Sequence, residues 1–307
     1  MRHIPVLLEE VIEGLNLKPG MNAVDCTVGD GGHSEKILQA IGPKGRLMAI
    51  DADPEAILQA KQYLYQFSQQ IFFVRENFVN LSKIVQENKF EPINAILIDL
   101  GWSSPQFEER GRGFSFLKDE KLDMRYDGSS KLQITNSKST AADIVNTLSE
   151  EELNRIFQEY GEEKLSKEIA KAIVIYRRDK KIEQTGQLVE IILDVYRQKL
   201  KSNKEIPWIG GLHPATKVFQ ALRIAVNDEL GVLEKVLPQL IEVLSAGGRL
   251  GIISFHSLED RIVKHYFKSQ ENKLIKIITK KPIICSEEEC KQNPRACSAK
   301  LRVIERK

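Results

Sequence analysis

Over the first hundred residues, short apolar runs alternate with segments whose hydrophobic positions recur at helical spacing. MNAVDC (21–26) reads as a strand, and a helix follows from about Ser34 to Ala40. RLMAID (46–51) is a second strand, ahead of a helix that opens at Pro54 and runs to about Tyr65. IFFVREN (71–77) and a helix near 78–87 come next. INAILIDLG (93–101) closes the set, a continuous apolar run of the kind buried on both faces of a parallel sheet. Strand–helix alternation of this period predicts βαβ units and an α/β, doubly wound fold.

The pattern then breaks. Residues 103–135 are rich in Gly, Ser, Arg and Asp without a clean period and read as a structured loop. From about Thr140 to Leu200 the spacing is helical, with Ile169, Ala172, Ile173 and Tyr176 on one stripe, and 202–213 (SNKEIPWIGGLH) form a Pro/Gly-rich joint. A long helical pattern runs from about Ala215 to Leu244, with a bend expected at Pro238. GGRLGIISF (247–255) is another buried strand and SLEDRIVKHYFKS (257–269) another helix. Residues 273–283 and 299–307 alternate like two strands joined by a polar turn. The economical division is a discontinuous α/β domain of residues 1–103 and 207–307, interrupted by a mostly helical insert of residues 104–206.

Composition narrows the class. At 307 residues, 42% hydrophobic and 29% charged, the chain carries too much apolar content for disorder. It lacks an apolar run of membrane-spanning length, and MRHIPVLLEE has no signal-peptide core, so neither membrane insertion nor secretion is expected. Four cysteines (Cys26, Cys285, Cys290 and Cys297) are too few for a disulfide scaffold, which points to a reducing cytoplasm. The net charge of +2 hides an uneven distribution. Residues 1–102 hold 9 Lys and Arg against 13 Asp and Glu, whereas 261–307 hold 13 against 5. Further basic clusters lie at Lys164, Lys167, Lys171, Arg177, Arg178, Lys180, Lys181 and at Arg197, Lys199, Lys201, Lys204. Such patches favour a polyanionic partner, because displaced phosphate counterions drive the binding.

Candidate chemistry clusters at two turns. DCTVGDGGHS (25–34) joins the first strand to its helix, and its glycines let the backbone turn tightly and approach a ligand. Asp51 ends the second strand, where an acid can accept hydrogen bonds from both ribose hydroxyls. Turn and acid together indicate a nucleoside-containing cofactor. S-adenosylmethionine (SAM) stands ahead of NAD because the G-x-G-x-x-G fingerprint is incomplete. DLGWSSPQ (99–106) ends the fourth strand, beside the first, at the switch point where such sheets bind ligands. Amino-group methyltransferases place an acid, Ser or Asn, two prolines and an aromatic residue here. Asp99 and Trp102 hold the outer positions, with Leu100 and Gly101 between them.

His256 reads as structural or substrate-orienting, and His213 as a cap of the following helix or a substrate contact. Arg112, Arg125, Arg223 and Arg261 are candidate phosphate contacts, although Arg223 lies in an apolar helix and could pair with an internal acid. The spacing Cys285-x4-Cys290-x6-Cys297 is too loose for zinc, so no metal site is expected and these cysteines read as incidental thiols.

The stretches HIPVLLEE, DCTVGDGGHS, AIDADP, DLGWSSPQ, RGRGFSF, LDMRYD, HPATKVFQALRIAVNDEL, SFHSLEDRIVK and NPRACSAKLRV occur in this order from residue 3 to the final strand. Together they closely resemble the bacterial 16S rRNA (cytosine-N4)-methyltransferase family, known as MraW or RsmH. The resemblance implies a Rossmann-like SAM-dependent enzyme acting on a decoding-region cytosine of the small ribosomal subunit, with a helical insert that helps hold the substrate base. It implies Gly31, Gly32 and His33 as the cofactor turn, Asp51 as the ribose ligand and Phe78 beside the adenine. Asp99 and Gln106 complete the cofactor set, and Asp99 is also the candidate catalytic acceptor for the target amine. The sequence departs from the family pattern at Asp30, at Trp102 in place of a small aliphatic residue, and in the Arg-Gly flavour of RGRGFSF. An exposed insert and cleft are compatible with a homodimer.

Overall fold

A computed structural model describes residues 4–101, 111–126, 139–201 and 212–307. Its sheet has seven strands: β1 (Asn22–Asp25), β2 (Arg46–Asp51), β3 (Ile71–Arg75), β4 (Ile93–Asp99), β5 (Leu244–Ser254), β6 (Ile275–Ile277) and β7 (Lys300–Arg306). They lie in the order β3-β2-β1-β4-β5-β7-β6. The first five run parallel, and β7 is antiparallel to both of its neighbours. This is the doubly wound, Rossmann-like arrangement that the strand–helix alternation predicts.

Period-two alternation places successive residues on opposite faces, and both faces are dry. Val24, Ile50, Ile96 and Ile98 pack with Leu81, Ile84 and Val85 of α4 (Leu81–Asn88). On the opposite face Ala23, Leu47, Ala95 and Leu97 pack with Val11 and Leu15 of α1 (Leu8–Leu15) and with Ile37, Leu38 and Ile41 of α2 (Gly32–Ile41). Helix α3 (Pro54–Tyr63) starts where Pro54 predicts, with the Asp53 side chain accepting from the Glu55 amide as its cap.

Chain contacts divide the molecule into a sheet unit, Met1–Ser103 with Leu230–Lys307, and a helical unit, Ser104–Glu229. The helical unit contains α5 (Ala141–Thr147), α6 (Glu150–Glu159), α7 (Ser166–Tyr176), α8 (Thr185–Leu200) and α9 (Thr216–Asn227). Helix α9 packs on α5 and α6, which carries the helical unit past the residue-206 boundary read from composition.

Three local features differ from the sequence reading. The long helical pattern after Ala215 breaks at Asp228, which takes a left-handed φ of 49°, so α9 is followed by a separate α10 (Glu229–Val243) with Pro238 inside it. Helix α11 (Ser257–Gln270) lies where expected. The polar turn expected before β7 contains a short helix, α12 (Glu287–Gln292), and a 3₁₀ turn over Pro294–Ser298. Cys290 and Cys297 of this segment form a disulfide, so they are not the incidental thiols that their spacing suggested.

Candidate cofactor and substrate site

Three strands of the parallel core end on an acid at the same edge: Asp25 of β1, Asp51 of β2 and Asp99 of β4. The turn after β1 is tied down by its own backbone, with the Val28 amide donating to the Ile50 carbonyl and the Gly31 amide to the Val28 carbonyl. Gly29 and Gly31 both sit at positive φ, 49° and 81°, which explains the residue type there. A methyl group at Gly29 would meet nothing closer than the Thr27 carbonyl at 4.0 Å, so this backbone is open to approach. Gly32 differs. A Cβ there would fall 2.2 Å from Pro5 Cγ, so its bare Cα serves packing against the N-terminal segment.

Asp51 accepts from the Gly29 amide at 3.0 Å and from the Asp53 amide at 2.9 Å. Burial pushes its carboxyl up to about 6; these two amides pull against that rise, and the charges of Asp53 and Asp25 add to it. Asp99 accepts from the Gly101 amide at 2.8 Å, and its own amide donates to Thr27 Oγ1 at 2.8 Å, fastening the end of β4 to the turn. Burial likewise pushes Asp99 up to about 6, opposed chiefly by His33, whose Nδ1 lies 3.7 Å from the carboxylate. His33 Nε2 is 2.9 Å from the Val6 carbonyl, which can only accept, so Nε2 carries a proton. Asp25 is buried, accepts from Ser34 Oγ at 2.7 Å, and is raised by its desolvation.

The next wall comes from β3 and β5. Arg75 ends β3 in register with Asp51, and the chain then turns through Phe78–Asn80, where Phe78 packs half-buried against the core. Beyond β5, Phe255 lies so close to the fourth-strand turn that a Cβ on Gly101 would fall 2.5 Å from its ring. His256 caps α11, its side chain accepting from the Glu259 amide while Glu259 accepts from the amides of Phe255 and His256. That geometry assigns His256 a structural part.

Within the helical unit, His213 Nδ1 accepts from the Ala215 amide ahead of α9, and its ring stacks on Phe116 at 4.7 Å. Arg223 makes a two-pronged ion pair with Glu229, and Arg125 one with Asp123. Gln106 and Trp102 lie outside the described residues, so the fourth-strand motif is seen only through Gly101.

The model of the MraW methylase family matches residues 1–307. The chain belongs to that family. It is 48% identical over 306 residues to the ribosomal RNA small subunit methyltransferase H of Dictyoglomus thermophilum, covering 99% of this chain and 97% of that one. Among solved structures it is similar to an rRNA methylase from Streptococcus thermophilus, at 12% identity and a TM-score of 0.42 over 98% of this chain and 92% of that one. A methyltransferase from Streptococcus mutans in complex with SAH is similar at 12% identity and a TM-score of 0.47, over 99% and 100%. These two likenesses concern the chain trace alone.

The sequence reading placed Asp51, Asp99, His33 and the Gly turn at one sheet edge, and they lie there together. It passed over Asp25, Thr27 and Phe255. Asp25 was legible in principle, since it ends β1 as Asp51 ends β2. Phe255 gave no signal, because its partner Gly101 is remote in sequence. No helix among the described residues is long and apolar enough to cross a membrane.

Proposed function

We propose that this chain transfers a methyl group from S-adenosylmethionine to the exocyclic N4 amine of a decoding-region cytosine in 16S rRNA. The observation that carries this reading is the contact between the Gly29 amide and Asp51, which sets an open stretch of backbone directly beside a desolvated ribose acceptor. The residues fit a nucleoside cofactor. Asp51 keeps lone pairs for two ribose hydroxyls beyond the two amides it already holds, Phe78 offers a ring for the adenine, and Gly31, Gly32, His33 and Gln106 complete the set. When bound, the cofactor supplies an electrophilic methyl on sulfur. Membership of a methylase family agrees with that donor, and the name of the 48% identical relative agrees with an rRNA of the small subunit as acceptor.

The nitrogen lone pair of a cytosine amine is delocalised into the ring, so the protein's task is orientation and charge stabilisation. Asp99 accepts a hydrogen bond from the amine. This favours a pyramidal nitrogen whose lone pair can point at the methyl group, and solvent takes the proton afterwards. Residues 104–206 recognise substrate, their Lys and Arg clusters serving phosphate contact.

Calorimetric titration with SAM and with NAD, followed by transfer of labelled methyl to naked rRNA, small subunits and whole ribosomes, tests this. SAM binding with N4-methylcytidine in digested rRNA is expected. NAD binding, or the absence of label in all three substrates, overturns it. Light scattering of the same preparation reads the homodimer that we include in the proposal.

A further inference from the structure

The N-terminal segment that packs on the cofactor turn is itself held from the far end of the chain. The Leu7 amide donates to Glu289 Oε1 at 2.7 Å, and Asn293 Nδ2 donates to the Ile4 carbonyl at 2.9 Å. Between those anchors, Pro5 fills the space that a side chain on Gly32 would need, and the Val6 carbonyl accepts from His33, whose other nitrogen faces Asp99. Leu7 is wholly buried at a left-handed φ of 52°, a conformation that persists only where surroundings impose it. Glu289, on the Leu7 amide, and Ala296, in the apolar cluster that Leu7 shares with the first two helices and the sheet, are among those surroundings.

Both anchors belong to one hydrogen-bonded segment. Ser286 caps α12, the Asn293 amide donates to the Glu289 carbonyl at 2.7 Å, and the Ala296 amide donates to the Asn293 carbonyl at 2.9 Å. The Cys290–Cys297 disulfide closes this segment on itself, joining α12 to the following 3₁₀ turn. Cys297 is exposed, and Cys285, Cys290 and Cys297 line an open cavity of about 540 Å³, the side from which a small thiol would approach the bridge.

We propose that residues 286–298 are a disulfide-closed clasp, in which Glu289 and Asn293 position residues 4–7 against Gly32 and His33, and that opening the bridge weakens cofactor binding. This rests on the functional reading above. Reduction transfers two electrons and two protons from a dithiol, which becomes a cyclic disulfide, and leaves Cys290 and Cys297 as thiols. The clasp then loses its closure, and the anchors on Ile4 and Leu7 become intermittent. Glu289 and Asn293 are positioning residues, since they touch the N-terminal segment and not the ligand.

The test combines hydrogen–deuterium exchange of residues 4–8 and 29–34 with calorimetric SAM binding, each on oxidised protein and on protein treated with dithiothreitol. Reduction is expected to speed exchange in both segments and to raise the SAM Kd about tenfold. The Cys290→Ser/Cys297→Ser variant should behave as reduced protein under both conditions. Glu289→Ala in the oxidised state should give the same faster exchange and weaker binding, and Glu289→Gln, which keeps the acceptor, should restore both. Unchanged exchange and unchanged Kd on reduction and in Glu289→Ala overturn the clasp. Should reduction unfold the chain, the oxidised Glu289 pair decides. If SAM binds in no state while exchange still responds, the cofactor reading falls and the clasp stands as a structural coupling.

Discussion

In the helical unit Asp143 sits in the first turn of α5, where its carboxylate accepts from the Thr140 amide and hydroxyl, and those bonds hold its pKa below the ordinary value. Glu152 does the same for α6 with Ser149. In the sheet unit Asp25, Asp51 and Asp99 are buried at one edge, and burial raises all three. The helical acids gain from folding because their charged form is better solvated in the native state. The sheet acids lose by it, and buried acids held against stability at the ends of neighbouring strands mark a candidate site.

The largest expected effect lies in the helical unit. Arg223 and Glu229 are each 12% exposed, and Arg223→Ala removes both guanidinium bonds from the Glu229 carboxylate, leaving the Tyr126 hydroxyl at 2.8 Å to hold a buried charge. A loss of about 3 kcal/mol is expected in urea denaturation. Equal stability would show that the helical unit carries its charges no better than the sheet unit does.

Asp51→Ala should act the other way round. It removes the proposed ribose acceptor, so the SAM Kd should rise about a hundredfold, roughly two charge-assisted hydrogen bonds. The thermal midpoint should hold or rise. A fall in midpoint with unchanged Kd would mean that Asp51 is a structural acid after all.

Asp99→Asn sharpens the contrast through pH. The native carboxyl titrates near 6 and the unfolded one near 3.8, so between these values the native state holds more protons and wild-type stability falls as pH rises. The amide keeps an acceptor for the Gly101 amide and removes the buried charge. The variant should therefore exceed wild type by up to about 3 kcal/mol at pH 8, with the gain vanishing below pH 4. A gain independent of pH would remove the charge from the explanation. The smallest effect belongs to the caps: Thr140→Ala should cost about 1 kcal/mol in denaturant titrations and leave SAM affinity untouched.

Much of the sheet unit was legible because its parallel strands are short apolar runs, and Asp51 and Asp99 each end one of them. What escaped has specific physical causes. Helix α1 is eight residues long and opens after Leu7 without a side-chain cap, so Glu9 and Glu10 in its first turn are its whole start signal. The break at Asp228 uses a left-handed residue other than glycine, which a pattern of apolar positions does not register. The bond between Leu7 and Glu289 joins residues 282 apart, and neither side chain type advertises such a partner. Asp25 escaped because the glycines that follow it carry the stronger turn signal.

Strand β7 is not an edge strand. It lies between β5 and β6, and its Leu301, Val303 and Ile304 are fully buried. During synthesis β1 to β5 leave the ribosome well before the residues that complete their sheet. Until 300–306 have emerged, β5 offers an unpaired edge of the kind that invites mispairing. The fold is thus threaded shut from its distal end, and a nascent chain stalled before β7 presents chaperones with a nearly complete sheet that cannot yet close.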